Sequence, residues 1–314
     1  MLALLASPAA ADTPLRLSFP VDCVLGKSCY IQHYVDRAPG PEARDFGCGP
    51  LTNDGHKGTD IALLDLAAMT RGATVRAAAP GTVRATRDGM PDINAKAPNA
   101  PDLTNRACGN AVIIDHENGW QTRYCHLRRG SVVVRSGDPV DPGQPLAQIG
   151  LSGKTEFPHL HFTVARNGTI IDPFQPNGET TCATTETALW HDDITYQPGG
   201  LISAGFNQTV PEFDQIKAGN AHQSTLPPNA PALVLWGYIY GGRKGDIVAL
   251  SITGPRGEIL TRTALLKRNQ ARLFRASGLR HSTDWPVGTY TGTVTLTRKS
   301  ERIDGQSIQL EITE

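Results

Sequence analysis

The sequence lacks three features that would each assign it to a familiar class: a long apolar run, an excess of charge, and a Cys-x-x-Cys pair. No run approaches about 18 apolar residues, which predicts no transmembrane helix. Lysine and arginine total 30, as do aspartate and glutamate, so no nucleic-acid partner is expected. The common structural zinc sites need paired cysteines and are not expected either. The chain of 314 residues remains long enough for two globular domains.

The balanced charge is unevenly distributed along the chain. Residues 241–302 contain 12 lysine and arginine residues but only four aspartate and glutamate residues. Such a basic stretch can bind an anionic polymer, lipid headgroups or a protein partner. It can also be the solvated surface of a β-sheet with scattered arginines, and we favour this second interpretation.

The first 11 residues resemble the end of a secretory signal. Met1 to Ala11 has a short apolar core followed by small residues, and cleavage is expected after Ala11. The positively charged segment that normally precedes such a core is missing, so we expect the natural start to lie upstream. The remnant predicts a periplasmic or secreted protein.

Six cysteines fit the oxidising compartment that such a signal implies. Six cysteines allow 15 pairings, and the sequence alone does not choose among them. Cys108 and Cys125 flank a predicted hairpin and could face each other, and Cys23 and Cys29 could close a short loop. We expect structural disulfides from all six: Cys23, Cys29, Cys48, Cys108, Cys125 and Cys182.

The pattern of apolar residues predicts an all-β protein. Residues 12 to about 55 are loop-rich and are interpreted as an N-terminal wrap. From 56 to about 175, short apolar runs alternate with turn residues, which is typical of an antiparallel β-sheet domain. About seven further strands follow, which suggests an immunoglobulin-like β-sandwich. The predicted division is a signal remnant at 1–11, a first domain at 12–185 and a sandwich at 186–314.

Five side chains with metal-binding chemistry lie in three short pieces of the first domain. Imidazole and carboxylate ligands suit a divalent metal, above all Zn²⁺. A catalytic zinc needs three protein ligands and an open position, so five candidates leave two groups to handle protons. The pieces are His56-Lys57-Gly58-Thr59-Asp60, Tyr124-Cys125-His126-Leu127 and His159-Leu160-His161-Phe162.

The spacing within the pieces predicts that the side chains converge. His159 and His161 are two residues apart in an alternating run, and residues i and i+2 of a strand point to the same face. His56 and Asp60 are four apart with Gly58 between them. We interpret this piece as a turn that enters a strand, with Gly58 letting the backbone bend. A helical i, i+4 arrangement is the alternative.

In these three pieces the chain resembles the lysostaphin/LytM-type zinc metallopeptidases. The family pattern is His-x-x-x-Asp, then a His in a Tyr-x-His-Leu context, then His-Leu-His, and the resemblance covers roughly residues 50 to 175. It implies that His56, Asp60 and His161 bind zinc. It also implies that His126 and His159 are the catalytic histidines.

By this resemblance the substrate is the peptide part of peptidoglycan, and the expected function is endopeptidase cleavage of stem-peptide cross-links in the periplasm. The usual small residues before His-Leu-His are replaced by Thr155-Glu156-Phe157-Pro158, and Thr163 stands where an acidic residue is common, so the cleaved bond stays open. Two alternatives are a non-catalytic protein that binds wall or activates another hydrolase, and a secreted lytic peptidase against foreign walls or glycine-rich proteins.

Overall fold

Short strands make up nearly all of the regular structure, which confirms the predicted all-β class. The computed structural model describes residues 15–178, 181–182, 186–280 and 283–314. The predicted signal remnant at 1–11 and the predicted boundary residue 185 lie outside this part. Within it are 18 strands and two α-helices of six residues each, α1 (Leu66–Arg71) and α2 (Phe213–Ala218). No helix of the described residues is long and apolar enough to cross a membrane.

One large antiparallel sheet brings the three motif pieces together. Its strand order is β1-β2-β9-β6-β5-β4-β7, with β10 paired to β9, while β3 and β8 form a separate ribbon. Because β9 lies between β2 and β6, the strands that carry the motifs are direct neighbours. The ten strands are β1 (Cys29–His33), β2 (Thr59–Leu63), β3 (Thr74–Arg76), β4 (Gly81–Arg87), β5 (Asn110–Asp115), β6 (Trp120–Leu127), β7 (Pro139–Val140), β8 (Pro145–Gln148), β9 (His159–Arg166) and β10 (Thr169–Ile171).

Strand β1 lies inside the stretch predicted to be a loop-rich wrap. Four of its five residues are buried, and it pairs with β2 so that His33 lies opposite Asp60. The strand escaped prediction because it is only five residues long, with three consecutive apolar residues, and lies in a stretch rich in prolines and glycines. The wrap therefore contributes a strand to the central sheet, next to the strand that carries Asp60.

The rest of the chain forms two packed sheets, which agrees with the predicted sandwich. One sheet has the order β11-β13-β16 and the other β12-β18-β17-β14-β15. Buried residues of both sheets, such as Phe206 and Leu250, share one core. The finer immunoglobulin-like assignment stays a prediction. The strands are β11 (Gly200–Asn207), β12 (Thr225–Leu226), β13 (Ala232–Gly242), β14 (Ile247–Gly254), β15 (Gly257–Leu265), β16 (Gln270–Arg280), β17 (Gly288–Arg298) and β18 (Glu301–Ile312).

The hydrophobic core of the first part of the chain continues into strand β13. All eleven residues of β13 are buried, and Trp236, Tyr238 and Tyr240 belong to the same core cluster as Tyr124 of the central sheet. The Tyr240 ring lies 4.6 Å from the ring of Tyr30 on β1, centroid to centroid. The predicted division near residue 185 therefore separates two regions that bury apolar surface against each other.

Three disulfides pair all six cysteines, as expected for structural cysteines. Cys23–Cys29 closes a short loop, and Cys108–Cys125 joins the segment before β5 to strand β6. Both pairings are among those considered from the sequence. The third, Cys48–Cys182, joins residues 134 positions apart.

Replacing Tyr240 with alanine tests whether the two parts of the chain fold together. Truncating a large buried aromatic side chain costs about 3–5 kcal/mol. Because the ring packs on Tyr30, we expect a lower melting temperature in a single cooperative transition, measured by calorimetry. The control Tyr240→Phe loses only the hydrogen bond from the hydroxyl to Gln197 Oε1 and should cost about 1 kcal/mol. Two separate wild-type transitions, only one of them moved by Tyr240→Ala, would contradict a shared core.

Candidate metal centre

Four histidine rings surround the carboxylate of Asp60. His161 Nδ1 lies 2.8 Å from Asp60 Oδ1, and His159 Nε2 lies 3.5 Å from the same oxygen. On the other side, His33 Nδ1 lies 3.0 Å and His56 Nε2 3.1 Å from Asp60 Oδ2. Asp60 is only 4% exposed, so these rings replace most of its contact with water. The five groups form one compact set of nitrogen and oxygen ligands.

The strand register explains why residues distant in sequence meet here. Asp60 on β2 lies directly opposite His161 on β9, and Cys125 on β6 lies opposite His161 from the other side. The piece from His56 to Asp60 is a turn that enters β2, as predicted from the sequence. The register thereby places Asp60, His159 and His161 on one face of the central sheet, with His56 in the turn before β2.

Gly58 is required by close packing. The backbone bends at Gly58, as predicted, but its φ is not among the positive values of the chain. A Cβ atom at this position would lie 2.7 Å from the carbonyl oxygen of Phe162 and 2.8 Å from the imidazole of His161. The absence of a side chain at Gly58 leaves room for the His161 ring.

His126 reaches the site through an irregularity of strand β6. Its φ is +63°, a left-handed value that non-glycine residues seldom adopt. The β5–β6 register shifts between Asn110 and Val112, and such bulges redirect a side chain. The His126 ring consequently lies 4.7 Å from the ring of His159, centroid to centroid. The adjacent Cys125 is tied to Cys108, whose carbonyl accepts a hydrogen bond from the His126 amide.

Backbone carbonyls hold three of the rings through Nδ1. His56 Nδ1 donates to Tyr34 O at 2.8 Å, and His159 Nδ1 donates to Phe157 O at 2.9 Å. His126 Nδ1 donates to the carbonyl of Ser152 at 2.8 Å. Since a carbonyl only accepts, Nδ1 carries the proton, and the Nε2 of a neutral ring offers a lone pair to a metal. Without a metal, His56 Nε2 donates to the Asp60 carboxylate only while the His56 ring is protonated. Metal-ligating histidines typically make this second hydrogen bond.

The orientation of the His161 ring is the reverse of that of the other three. Its Nδ1 faces Asp60, and its Nε2 lies 3.2 Å from the hydroxyl of Thr163. Thr163 is the residue that stands where an acidic residue is common in the resembled family. In this chain the Thr163 hydroxyl orients the His161 ring, so the ring is positioned without a second carboxylate.

Burial and neighbouring charged groups have opposing effects on the pKa values of the site. Burial would raise the pKa of Asp60. The charges of His159 and His56 outweigh burial, together with hydrogen bonds from His159 and His161, and the pKa of Asp60 lies well below its ordinary value. Burial lowers the pKa of His126 well below the usual range, and His159 and His161 lower it further. For His56, burial acts to lower the pKa, but the Asp60 charge outweighs it and the pKa is raised. The site therefore combines an ionised carboxylate with a neutral His126 near neutral pH.

His33 belongs to the site but was not predicted from the sequence. The ligand atoms of His33, His56 and Asp60 lie within 4.8 Å of one another, a spacing that could hold a metal ion. No fixed spacing links His33 to the other motifs. The only local signal was the short apolar run Cys29-Tyr30-Ile31 before it, which was too short to distinguish from a loop.

Comparison with known proteins identifies relatives of the region that holds this centre. The model of peptidase family M23 matches residues 54–173. Peptidoglycan DD-endopeptidase ShyA of Vibrio cholerae is 31% identical over 122 residues, 39% of this chain and 23% of that protein. The lipoprotein NlpD/LppB homolog of Pseudomonas aeruginosa is 40% identical over 70 residues, 22% of this chain and 23% of that protein. This chain thus spans less than a quarter of the length of either relative.

Two solved structures align with part of this chain. A zinc-containing peptidase from Vibrio cholerae aligns with a TM-score of 0.35 at 25% sequence identity, covering 51% of this chain and 39% of that chain. The catalytic domain of lysostaphin from Staphylococcus simulans aligns with a TM-score of 0.29 at 24% identity, covering 45% of this chain and 85% of that chain.

Replacing Gly58 with alanine should displace the His161 ring. The added methyl group would overlap a backbone oxygen that cannot rotate away, and overpacking of this kind costs about 1–3 kcal/mol. The matched control is Gly89→Ala, because nothing lies within 4 Å of a Cβ there and its φ is not positive. We expect the control to stay within about 0.5 kcal/mol of wild type in urea unfolding. Equal stability of the two variants would contradict the packing role of Gly58.

Proposed function

We propose that the protein is a zinc endopeptidase of peptidoglycan, on the premise that residues 54–173 match peptidase family M23 and carry the motifs of the lysostaphin/LytM type. The observation that carries the proposal is the ionised Asp60 surrounded by four imidazole rings, two of which, His56 and His159, are oriented by backbone carbonyls. A buried carboxylate with such neighbours is suited to a divalent cation.

We propose that His56, Asp60 and His161 hold the zinc. Two imidazoles and one carboxylate are a common ligand set for catalytic zinc. The donor chemistry fits, because His56 Nε2 and His161 Nδ1 both point at the Asp60 carboxylate. When bound, zinc supplies a Lewis acid that polarises a carbonyl and makes water a stronger nucleophile near neutral pH.

His126 and His159 are proposed to move the protons. Amide hydrolysis requires a base to take a proton from water and an acid to protonate the leaving amine. The low pKa of His126, caused mainly by burial, keeps its Nε2 free to accept a proton. His159 lies beside it and its Nδ1 is likewise bonded to a backbone carbonyl, that of Phe157, so one ring can accept a proton while the other donates one.

The substrate class is inferred from the relatives. The name of ShyA describes it as a peptidoglycan DD-endopeptidase. We therefore propose that this chain cleaves peptide bonds in the stem-peptide cross-links of peptidoglycan. Three disulfides support an oxidising compartment, and we propose the periplasm.

The first alternative is a non-catalytic protein that binds wall or activates another hydrolase. The presence and convergence of all five site residues favour an enzyme over this alternative. The second alternative is a secreted lytic peptidase against foreign walls or glycine-rich proteins. The substrate that the protein cleaves distinguishes this alternative from the proposed endopeptidase of stem-peptide cross-links.

Metal content of single variants tests the ligand assignment. Alanine at His56, Asp60 or His161 should remove most of the approximately one zinc per chain expected for a single ligand set, measured by mass spectrometry of the metal. His126→Ala and His159→Ala should keep the metal. His33→Ala should also keep it but weaken its affinity by roughly tenfold to a hundredfold, because His33 would orient Asp60 from outside the ligand set. If His33→Ala lost the metal while His161→Ala kept it, His33 would replace His161 as a ligand.

Digestion of purified peptidoglycan tests the reaction. After a muramidase has cut the glycan strands, the zinc-loaded protein should release uncross-linked muropeptides from the cross-linked ones, identified by mass spectrometry, and removal of zinc by a chelator should abolish their release. His126→Ala and His159→Ala should each lower the rate by at least about 100-fold, the usual contribution of a general acid or base. No release by fully loaded wild-type protein would favour the non-catalytic alternative. Activity on foreign walls alone would favour the second one.

A further inference from the structure

A cavity lies beside the metal centre where the central sheet meets the sandwich. Its volume is about 200 Å³. Tyr30, Leu63 and Phe157 line it from the first part of the chain, and Tyr238 and Arg272 from the sandwich. The cavity therefore depends on both regions.

Phe157 connects this cavity to the site. Its ring stacks on His159 with the centroids 4.4 Å apart and an interplanar angle of 21°. The guanidinium carbon of Arg272 lies 4.0 Å from the centroid of the same Phe157 ring. Arg272, on β16 of the sandwich, thus contacts a side chain that packs on a proposed catalytic histidine.

Arg272 brings a positive charge that no described carboxylate neutralises. Among the described residues, no aspartate or glutamate lies within ion-pair distance of its guanidinium. Its nearby polar groups are phenols: burial raises the pKa of Tyr30 and Tyr238, and the Arg272 charge acts against burial in both. Neutral phenols and an aromatic ring leave the charge available to an anion.

The acidic residues around the cavity already have partners. Asp65 Oδ1 accepts the Ala68 amide at 2.6 Å as the N-cap of α1. Asp214 pairs with Lys217 at 2.6 Å, and Glu156 pairs with Lys96 at 2.8 Å. Glu156 and Asp214 are thus paired with lysines and Asp65 caps α1, whereas Arg272 has no carboxylate partner in the described part of the chain.

We propose that this cavity is a substrate subsite in which Arg272 binds a free carboxylate of the peptide, close to the bond cleaved at the metal centre. The inference rests on the proposed function and specifies its substrate. An extended peptide advances about 3.3–3.6 Å per residue, so a carboxylate one or two residues from the cleaved bond can reach Arg272 past Phe157. The guanidinium suits a carboxylate because its planar donors form paired hydrogen bonds. The apolar wall of Leu63 and Tyr30 accommodates the aliphatic part of the same residue.

The test compares two cross-linked stem peptides that differ only in the carboxylate next to the cleaved bond, free in one and amidated in the other. Calorimetry measures binding of each to the zinc-loaded His126→Ala protein, in which turnover is blocked and Phe157 is untouched. We expect the free carboxylate to bind roughly tenfold to a hundredfold more tightly.

Adding Arg272→Met should abolish this preference, because methionine keeps an apolar stem and removes the charge. The matched control is Arg280→Ala, which removes an exposed arginine eight residues further along the same strand and should keep the full preference. If circular dichroism shows that the Arg272→Met protein does not fold, Arg272→Lys is tested instead. With lysine at this position we expect the preference for the free carboxylate to be reduced several-fold.

Equal binding of the two peptides to the parent protein would overturn the proposal, and so would an unchanged preference without Arg272. Because binding is measured without turnover, a peptidase that proves inactive can still show the preference. Failure of the subsite and failure of the proposed reaction are therefore distinguishable.

Discussion

The buried carboxylate of Asp60 is the constraint on which the site depends. An ionised group removed from water is costly unless opposite charges or hydrogen-bond donors surround it. Here the imidazole rings that face the carboxylate come from β1, from the turn before β2, and from β9, so they surround it only when these segments are in register. The same register fixes the geometry of the site.

The positions around Asp60 also limit which side chains are possible. Gly58 must remain small for His161 to fit, and His126 must adopt a left-handed backbone conformation to reach His159. The neighbouring Cys108–Cys125 disulfide and the Ser152 carbonyl hold His126 in that conformation. Local strain at one residue is thereby supported by covalent and hydrogen-bonded contacts on both sides of it.

The sequence predicted those parts of the fold that depend on local pattern. The alternation around His159 and His161 predicted a strand with both rings on one face, and the three ordered motifs predicted which side chains converge. His33 and Arg272 could not be found in this way, because nothing near them in sequence relates them to Asp60 or Phe157. His33 reaches the site through the pairing of β1 with β2, and Arg272 through the packing of the sandwich, and both depend on contacts between distant segments. The sequence predicted the bend at Gly58 but not the close contacts with Phe162 and His161 that require its small size.

The disulfide pairing has a consequence for how the chain matures. Cys48–Cys182 encloses Cys108–Cys125, so the bonds are nested and do not follow the order in which the cysteines appear. An oxidase that joined each cysteine to the next one emerging from a translocation channel would form Cys23–Cys29 correctly but would then couple Cys48 to Cys108. Reaching the native pairing requires that the central sheet forms before Cys48 is oxidised, or that an isomerase exchanges the bonds afterwards. The yield of correctly paired protein from a heterologous host should thus depend on isomerase capacity more than on oxidising strength.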